Sequence, residues 1–225
     1  MQEQPGGAEQ SARRAISTSA FDVNRERIIQ IAAGLFAQKG YHGTGIAELG
    51  ATAGLGRGAL YHYIESKEAL LYAISKNQID IVNLHAEKAL SANLGAEDLL
   101  REMARGLLRN ITEHQAEWAV FFRDHGALTG ERRDRVIVAR ERYESYWRQA
   151  LDRGVTAGAL RPMPRLLVRG ILGMFNSTCL WFEPNGETTA EALADEFLDA
   201  LLYGIRNPRG AAPPSCLAFN PPGTP

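Results

Sequence analysis

The chain has 225 residues, 45% of them hydrophobic, and a formal net charge of −1 at pH 7. A chain of this length buries one or two ordinary hydrophobic cores without needing disulfide or metal staples. The nearly balanced charge gives no global support for nucleic-acid binding, so any attraction to DNA has to come from a local basic patch.

The two ends differ in composition from the rest of the chain. Residues 1–20 are rich in Gln, Gly, Ser and Ala, which predicts a flexible arm, and the proline-rich residues 207–225 predict a disordered tail. The two cysteines, Cys179 and Cys216, stand in unlike settings, as expected in a reducing compartment. No apolar run is long enough to span a bilayer and no signal peptide is recognisable, so we predict a cytoplasmic protein without a membrane partner.

Residues between the tails show helical periodicity and no alternation typical of strands. Apolar residues from Ile28 to Phe36 recur at helical spacing, and Gly40 is placed to end that helix. Further helical patterns, some closed by glycine or proline, cover about 67–90, 97–113, a short segment around Trp118, 131–157, 166–182 and 189–205. With two short helices before residue 66, the sequence predicts an all-α fold of about nine helices.

Residues 40–70 have the features of a helix-turn-helix. Thr44 is placed to cap a short helix, Gly54 breaks that helix, and Leu55 and Gly56 form a tight turn. Arg57 then opens a second short helix whose polar side chains are available to a partner. Two short helices joined by a turn containing glycine place the second helix in the major groove of DNA. The segment therefore predicts a DNA-binding protein.

This segment also resembles the TetR/AcrR family of transcriptional regulators. The resemblance rests on Gly40-Tyr41, Thr44, Ala53-Gly54-Leu55, Gly58, Leu60-Tyr61-His62-Tyr63, Ser66-Lys67-Glu68 and Leu70. It implies helices over about Asn24 to Lys39, Gly45 to Ala53 and Arg57 to Tyr63, with a fourth starting at Lys67. It also implies a DNA-binding domain at 21–75, an effector-binding and dimerisation domain at 76–206, and a ligand-responsive repressor that binds palindromic double-stranded DNA as a homodimer.

The family's contacts to the DNA backbone transfer to four positions of this chain. By resemblance, the hydroxyls of Thr44 and Tyr61 and the ammonium of Lys67 contact phosphates, and His62 lies at the edge of the groove, on a phosphate or a sugar. Gly56 stands where the family usually has a capping Ser or Thr, which removes one hydroxyl contact.

One side chain of the second short helix is expected to read a base. The guanidinium of Arg57 matches the acceptor pair on guanine. Gly58 and Ala59 allow the backbone to come close, and the Ala59 methyl can touch thymine. Arg57 is therefore our candidate for sequence recognition.

The C-terminal half resembles, more loosely, a TetR subgroup that senses fatty-acyl or other CoA thioesters. The resemblance rests on Arg153-Gly154, residues 158–162, Ile171-Leu172-Gly173, Asn176, and the turn from Trp181 to Gly186. Ser177 and Leu180 depart from it, because this subgroup often has an aromatic residue and an arginine there. A CoA thioester is therefore the first candidate effector; the alternatives are a non-CoA aromatic or hydrophobic ligand, or no ligand.

Aromatic side chains indicate where a small molecule could bind. Four residues from Trp118 onward fall at i, i+3, i+4 and i+7, on one helix face. The candidate pocket residues are Trp118, Phe121, Phe122, His125, Tyr143, Trp147, Met174, Phe175, Asn176 and Cys179. They could line a large apolar cavity with a few polar groups. The alternative is a plain aromatic core.

The segment 166–182 is apolar nearly all round, with one charge, so it cannot be an exposed surface helix. Either it runs through the centre of its domain or a second subunit covers it. With the last helix it could form a four-helix dimer interface, for which the candidates are Leu166, Arg169, Trp181, Phe182, Phe197 and Leu201.

No motif indicates catalysis. The sequence has no nucleophile elbow, no phosphate-cradling glycine loop, and no Cys, His or carboxylate spacing typical of a metal site. We therefore expect neither an enzyme nor a bound cofactor or metal. The remaining alternative is a DNA-binding module that is regulated by a partner protein or acts constitutively.

Overall fold

The structure is a computed structural model that describes residues 7–204, with side chains described from residue 20 onward. Over that range the chain forms nine α-helices and two short 3₁₀ turns and has no strand, as predicted. The α-helices are α1 (Gly7–Lys39), α2 (Ile46–Ala53), α3 (Arg57–Tyr63), α4 (Lys67–Ser91), α5 (Ala96–Glu113), α6 (Gln115–Asp124), α7 (Gly130–Thr156), α8 (Leu167–Asn176) and α9 (Ala190–Leu202). The 3₁₀ turns are His125–Ala127 and Ser177–Leu180.

Helix α1 begins at Gly7, so the predicted start near Asn24 is wrong. The helix extends through most of the segment that we predicted to be a flexible arm. No glycine or proline occurs between Ala8 and Ala33, so nothing in the backbone stops the helix earlier. Residues 1–6 lie outside the described part of the chain.

The first three helices form the N-terminal unit around one core. Ile28, Phe36, Leu49 and Leu60 are fully buried there. Gly54 ends α2 in the left-handed conformation, with a φ of 68°, which glycine adopts without steric cost. The observed bounds of α3 are those implied by the family resemblance.

The remaining helices build a second core around α4, which packs against α5, α6 and α7. Trp147 of α7 and Phe175 of α8 are fully buried, with their ring centroids 5.6 Å apart. Ion pairs join α5 to α9: Arg105 binds Asp195 through two hydrogen bonds of 2.9 and 2.6 Å, and Arg109 binds Glu191 at 2.8 Å. The predicted boundary after residue 75 falls inside α4.

The predicted helix 166–182 is shorter than expected. Helix α8 ends at Asn176 and a 3₁₀ turn follows it. The Ser177 and Thr178 hydroxyls donate to the carbonyls of Met174 and Phe175, three residues earlier, and such bonds compete with the regular helix. Helix α9 ends at Leu202, whereas the end predicted at Ile205 and the tail 207–225 lie outside the described residues.

None of the helices described over 7–204 has an apolar stretch long enough to cross a membrane.

Candidate DNA-binding surface and internal cavity

Helix α3 presents its polar side chains to solvent. Arg57, Gly58, Ala59, Tyr61 and His62 are all exposed, whereas Leu60 is fully buried and fixes the helix to the core. The guanidinium carbon of Arg57 lies 5.9 Å from the centre of the Tyr61 ring. A cation, a phenol and two small residues therefore form one open surface that a DNA groove can approach.

The C-terminal end of α3 is held by an aromatic contact with α1. Phe21 stacks on Tyr63 with centroids 5.1 Å apart and meets His62 edge-on at 5.5 Å. Tyr63 therefore packs, whereas the exposed His62 ring remains at the edge of the surface.

Thr44 does not lie on this surface, and the predicted phosphate contact of its hydroxyl is wrong. Its side chain is 1% exposed, and its Oγ1 donates to the Gly40 carbonyl at 3.0 Å. It also does not cap α2, because the capping position belongs to Gly45, which has no side chain to bond. Thr44 instead binds the carbonyls left open at the end of α1.

Lys67 begins α4 as predicted, and its ammonium group is engaged inside the protein. The Nζ atom donates to the carbonyls of Tyr41 at 2.9 Å and Thr44 at 3.0 Å, and lies 4.4 Å from the centre of the Tyr41 ring. These bonds leave one N–H of the ammonium for a phosphate. The phosphate contact stays a prediction.

Gly56 occupies the capping position before α3, as the sequence indicated. It has extended backbone angles and no side-chain hydrogen bond to the first turn. The backbone N–H groups of that turn are thus open toward the exposed surface.

A cavity of about 610 Å³ lies in the C-terminal unit, among α4, α6, α7, α8 and the second 3₁₀ turn. Its volume is in the range of small-molecule sites. Six of the ten predicted pocket residues line it: Trp118, Phe121, Phe122, Tyr143, Asn176 and Cys179. The sequence did not single out several other wall residues, among them Ile79, Ile137, Arg140, Glu141, Glu144 and Leu172.

Four predicted pocket residues are not among those that line the cavity. Trp147 and Phe175 are fully buried in the core, and Met174 is half-buried and packs against that core. His125 lies one layer behind the wall, next to Arg140. Periodicity places a residue on a helix face, but the neighbouring helices decide which faces enclose empty space.

The cavity wall contains a few buried polar groups that hold fixed positions or can donate hydrogen bonds. The Trp118 indole N–H donates to Asn110 Oδ1 at 2.8 Å, which fixes the plane of the ring. Burial raises the pKa of the Tyr143 hydroxyl, and also that of the Cys179 thiol. Both groups are therefore neutral near pH 7, and both remain possible hydrogen-bond donors.

Two carboxylates and two guanidinium groups complete the wall. Arg169 donates to Glu144 at 3.1 Å, so this predicted interface residue pairs within its own subunit and lines the cavity. Glu141, Arg169 and Leu180 are exposed and mark the mouth. The Arg140 guanidinium contacts Nε2 of His125 at 3.2 Å and lies 5.8 Å from the Phe121 ring.

The end of α6 is bonded directly to the N-terminal unit. Arg123 donates to the carbonyls of Phe36 and Ala37 at the end of α1, the latter at 3.0 Å. Asp124 accepts from the backbone N–H of Tyr41 at 3.3 Å. We call these bonds the α6 clamp. They join the helix that bears Trp118, Phe121 and Phe122 to the unit that bears α3.

A second junction joins the start of α4 to the start of α7. Glu68 accepts from the Thr129 backbone N–H at 2.8 Å and from its hydroxyl at 2.9 Å, and Arg132 binds both Glu68 and Glu65. Hydrogen bonds from Thr129 lower the pKa of the Glu68 carboxyl, and the bond from the Thr129 backbone N–H has the largest effect.

Exposed apolar side chains lie at both ends of α8, and one more lies on α9. Leu166 is 74% exposed, Leu180 76% and Trp181 53%, with Gly170 and Gly173 exposed between them. Leu201 is 39% exposed, whereas Phe197 and Phe182 are half-buried and pack against the core. We call this the α8–α9 face.

Comparisons with known proteins agree with this arrangement. Residues 28–74 match the family model described as "Bacterial regulatory proteins, tetR family", and residues 93–205 match "Tetracyclin repressor-like, C-terminal domain". The transcriptional repressor KstR2 of Mycolicibacterium smegmatis is 25% identical over 190 residues, which cover 83% of this chain and 92% of the relative.

Two solved structures show the same fold. PfmR of Thermus thermophilus, a TetR-family regulator, is 34% identical with a TM-score of 0.75, over 80% of this chain and 100% of its own. AibR, solved with isovaleryl coenzyme A and operator DNA, is 27% identical with a TM-score of 0.71, over 80% of this chain and 98% of its own.

Proposed function

Since the chain belongs to the TetR family and is a DNA-binding transcriptional repressor, we propose that it binds a palindromic operator as a homodimer and that a small apolar molecule in the cavity controls DNA release. The observation on which the proposal rests is the position of the cavity. Its wall includes α6, whose end is bonded to the N-terminal unit by the α6 clamp, and Ile79 of α4, the helix that follows the helix-turn-helix.

This position gives a ligand two routes to the DNA-binding surface. A molecule that packs against Phe121 and Phe122 acts on α6 and hence on the α6 clamp, and one that packs against Ile79 acts on α4. A small displacement of either helix changes the separation of the two α3 helices in a dimer, so both half-sites lose fit at once. Each tenfold change in DNA affinity needs only about 1.4 kcal/mol.

A CoA thioester is our first candidate for the ligand. The apolar wall suits an acyl chain, and the cavity is open at its mouth, so it can admit a ligand that is longer than the cavity itself. AibR, a similar protein, was solved with isovaleryl coenzyme A. The alternative is a non-CoA hydrophobic ligand, which is favoured by Leu180 at the mouth, where the CoA-sensing subgroup often has an arginine.

The proposed dimer uses the α8–α9 face. Large apolar side chains at both ends of α8 are exposed, which is typical of an interaction site, and two exposed glycines of α8 permit close approach of a second copy. The substitution Gly170→Glu tests this, because Gly170 is exposed and an added Cβ there meets no atom within 4 Å. We expect monomers in sedimentation and weaker operator binding. Gly126→Glu, also exposed and unobstructed, is the matched control and should remain a dimer.

The decisive experiment is fluorescence anisotropy with labelled DNA from the gene's own upstream region. The DNA complex is titrated with CoA thioesters and with the corresponding free acids. Release by thioesters alone supports a CoA-dependent repressor, and release by acids as well supports the hydrophobic alternative. Tight binding that no compound changes would contradict control by these ligands while leaving DNA binding intact.

A further inference from the structure

One charged side chain of the cavity has no carboxylate partner. Four charged residues line the wall, of which Glu144 and Arg169 pair with each other and Glu141 is exposed at the mouth. Arg140 is half-buried, and no carboxylate oxygen of residues 20–204 lies within 4.0 Å of its guanidinium. A guanidinium facing an apolar space without an anion is costly, since its charge is partly removed from water without compensation.

The side chain of Arg140 is nevertheless held in place by two neutral contacts. Its Nη1 lies 3.2 Å from His125 Nε2, and its guanidinium carbon lies 5.8 Å from the Phe121 ring centre. Nδ1 of His125 lies 2.8 Å from the Phe121 carbonyl, which can only accept, so Nδ1 carries a proton and donates to it. A guanidinium can only donate, so Nε2 accepts from Arg140, and the remaining N–H groups of the guanidinium have no hydrogen-bond acceptor among residues 20–204.

From these contacts we infer that Arg140 binds an oxyanion of the effector, which therefore has an apolar body and a negatively charged oxygen group. This inference rests on the proposed function and specifies the ligand of the same cavity. Arg140 and His125 lie near the end of α6, next to Arg123 and Asp124 of the α6 clamp. The charged group of the ligand is thus placed at the end of the cavity nearer to the DNA-binding unit, with the apolar body against Trp118 and Tyr143.

An arginine with free N–H groups favours a carboxylate or a phosphate over a hydroxyl. A guanidinium donates in parallel to two oxygens, and such charge-assisted bonds are shorter and stronger than neutral ones. The same oxyanion could come from a carboxylate of the apolar body or from a phosphate of CoA. The test separates these two sources.

The test is calorimetric titration of the full-length protein with octanoate, octanol and octanoyl-CoA. We expect octanoate to bind at least about tenfold more tightly than octanol, the difference given by one charge-assisted hydrogen bond. In Arg140→Met this preference should be lost while octanol binding is unchanged. If octanoyl-CoA instead loses affinity in Arg140→Met while octanoate and octanol bind equally, the oxyanion is a phosphate of CoA.

Three further variants make the result specific. Arg169→Met removes a guanidinium from the same wall, but one already paired with Glu144, and should keep the preference for octanoate. Arg140→Lys keeps the positive charge but not the planar guanidinium, and it should keep part of the preference for octanoate. His125→Phe preserves the ring stacked on Phe121 but removes the acceptor that positions Arg140, and should reduce the acid-to-alcohol ratio without changing octanol affinity.

Two outcomes would overturn the inference: binding of none of the three probes, or an unchanged order of affinities for them in Arg140→Met. The proposed function is judged separately by DNA release in anisotropy. Acid preference without DNA release would contradict the repressor mechanism but not the role of Arg140. DNA release by octanol and octanoate alike, together with an octanoyl-CoA affinity that is unchanged in Arg140→Met, would contradict the role of Arg140 but not the repressor mechanism.

Discussion

At the residue scale, the buried hydroxyl of Thr44 leads to a prediction opposite to that of a phosphate contact. Thr44→Val keeps the shape but removes the hydrogen bond to the Gly40 carbonyl. We expect the free energy of unfolding to fall by about 1 kcal/mol and the operator affinity of the folded protein to stay unchanged. Denaturant titration and anisotropy measure the two quantities. Weakened DNA binding at unchanged stability would contradict this prediction and support a contact between Thr44 and DNA.

Arg57 is the residue on which sequence recognition is expected to depend. Its guanidinium is exposed at the first position of α3. Arg57→Ala should lose about 1–3 kcal/mol of discrimination at one base pair of the operator. Anisotropy with the operator and with single-base variants measures this loss. Arg135→Ala on α7, an exposed arginine paired with Glu131, is the control and should change neither affinity nor specificity. Equal affinities for Arg57→Ala and the native protein would refute the assignment.

At the scale of the element, Gly50 explains how α2 and α3 pack so closely. A Cβ at this position would lie 2.8 Å from the Leu55 carbonyl oxygen, which belongs to the turn between the two helices. Gly50→Ala should therefore displace the turn and destabilise the protein by about 1–3 kcal/mol, with weaker DNA binding. Thermal unfolding checks this. Gly34→Ala, in the interior of α1 with no atom within 4 Å of the added carbon, should instead stabilise by up to about 1 kcal/mol.

At the scale of the whole molecule, the α6 clamp is expected to transmit ligand binding to DNA. Arg123→Met removes the bonds to the end of α1 while leaving the cavity wall intact. We expect unchanged ligand affinity and loss of part of the coupling free energy, which is typically about 1–3 kcal/mol in such systems. Ligand titration with and without DNA measures the coupling. Arg109→Met breaks an ion pair between α5 and α9, remote from the DNA-binding unit, and should leave the coupling free energy unchanged.

The junction at Glu68 predicts a dependence of stability on pH. Because hydrogen bonds from Thr129 lower the pKa of Glu68 in the folded state, its contribution is present above the unfolded pKa and is lost as pH falls through the folded pKa. Glu68→Gln should thus lower the melting temperature at pH 7 relative to the native protein, and the difference should shrink as the pH falls below the ordinary pKa of a glutamate carboxyl. A difference that is constant with pH would contradict the role of the charge.

The features that the sequence by itself determined are those that depend on residues close to one another along the chain. The bounds of α3 and the glycine end of α2 depend on residues a few positions apart, since helix caps and the helical period act within one or two turns. The start of α1 was predicted wrongly, because no glycine or proline near Asn24 interrupts the helix.

The tertiary structure decided which faces meet. Thr44 turns inward because the end of α1 offers its carbonyls, and Trp147 and Phe175 fill the core because α7 and α8 cross there. Arg123 finds its acceptors 86 and 87 residues away, and Arg140 lies beside the cavity because α6 and α7 bring His125 next to it. Such contacts join residues whose distance in space is set by the packing of whole helices, so no pattern within one helix could reveal them.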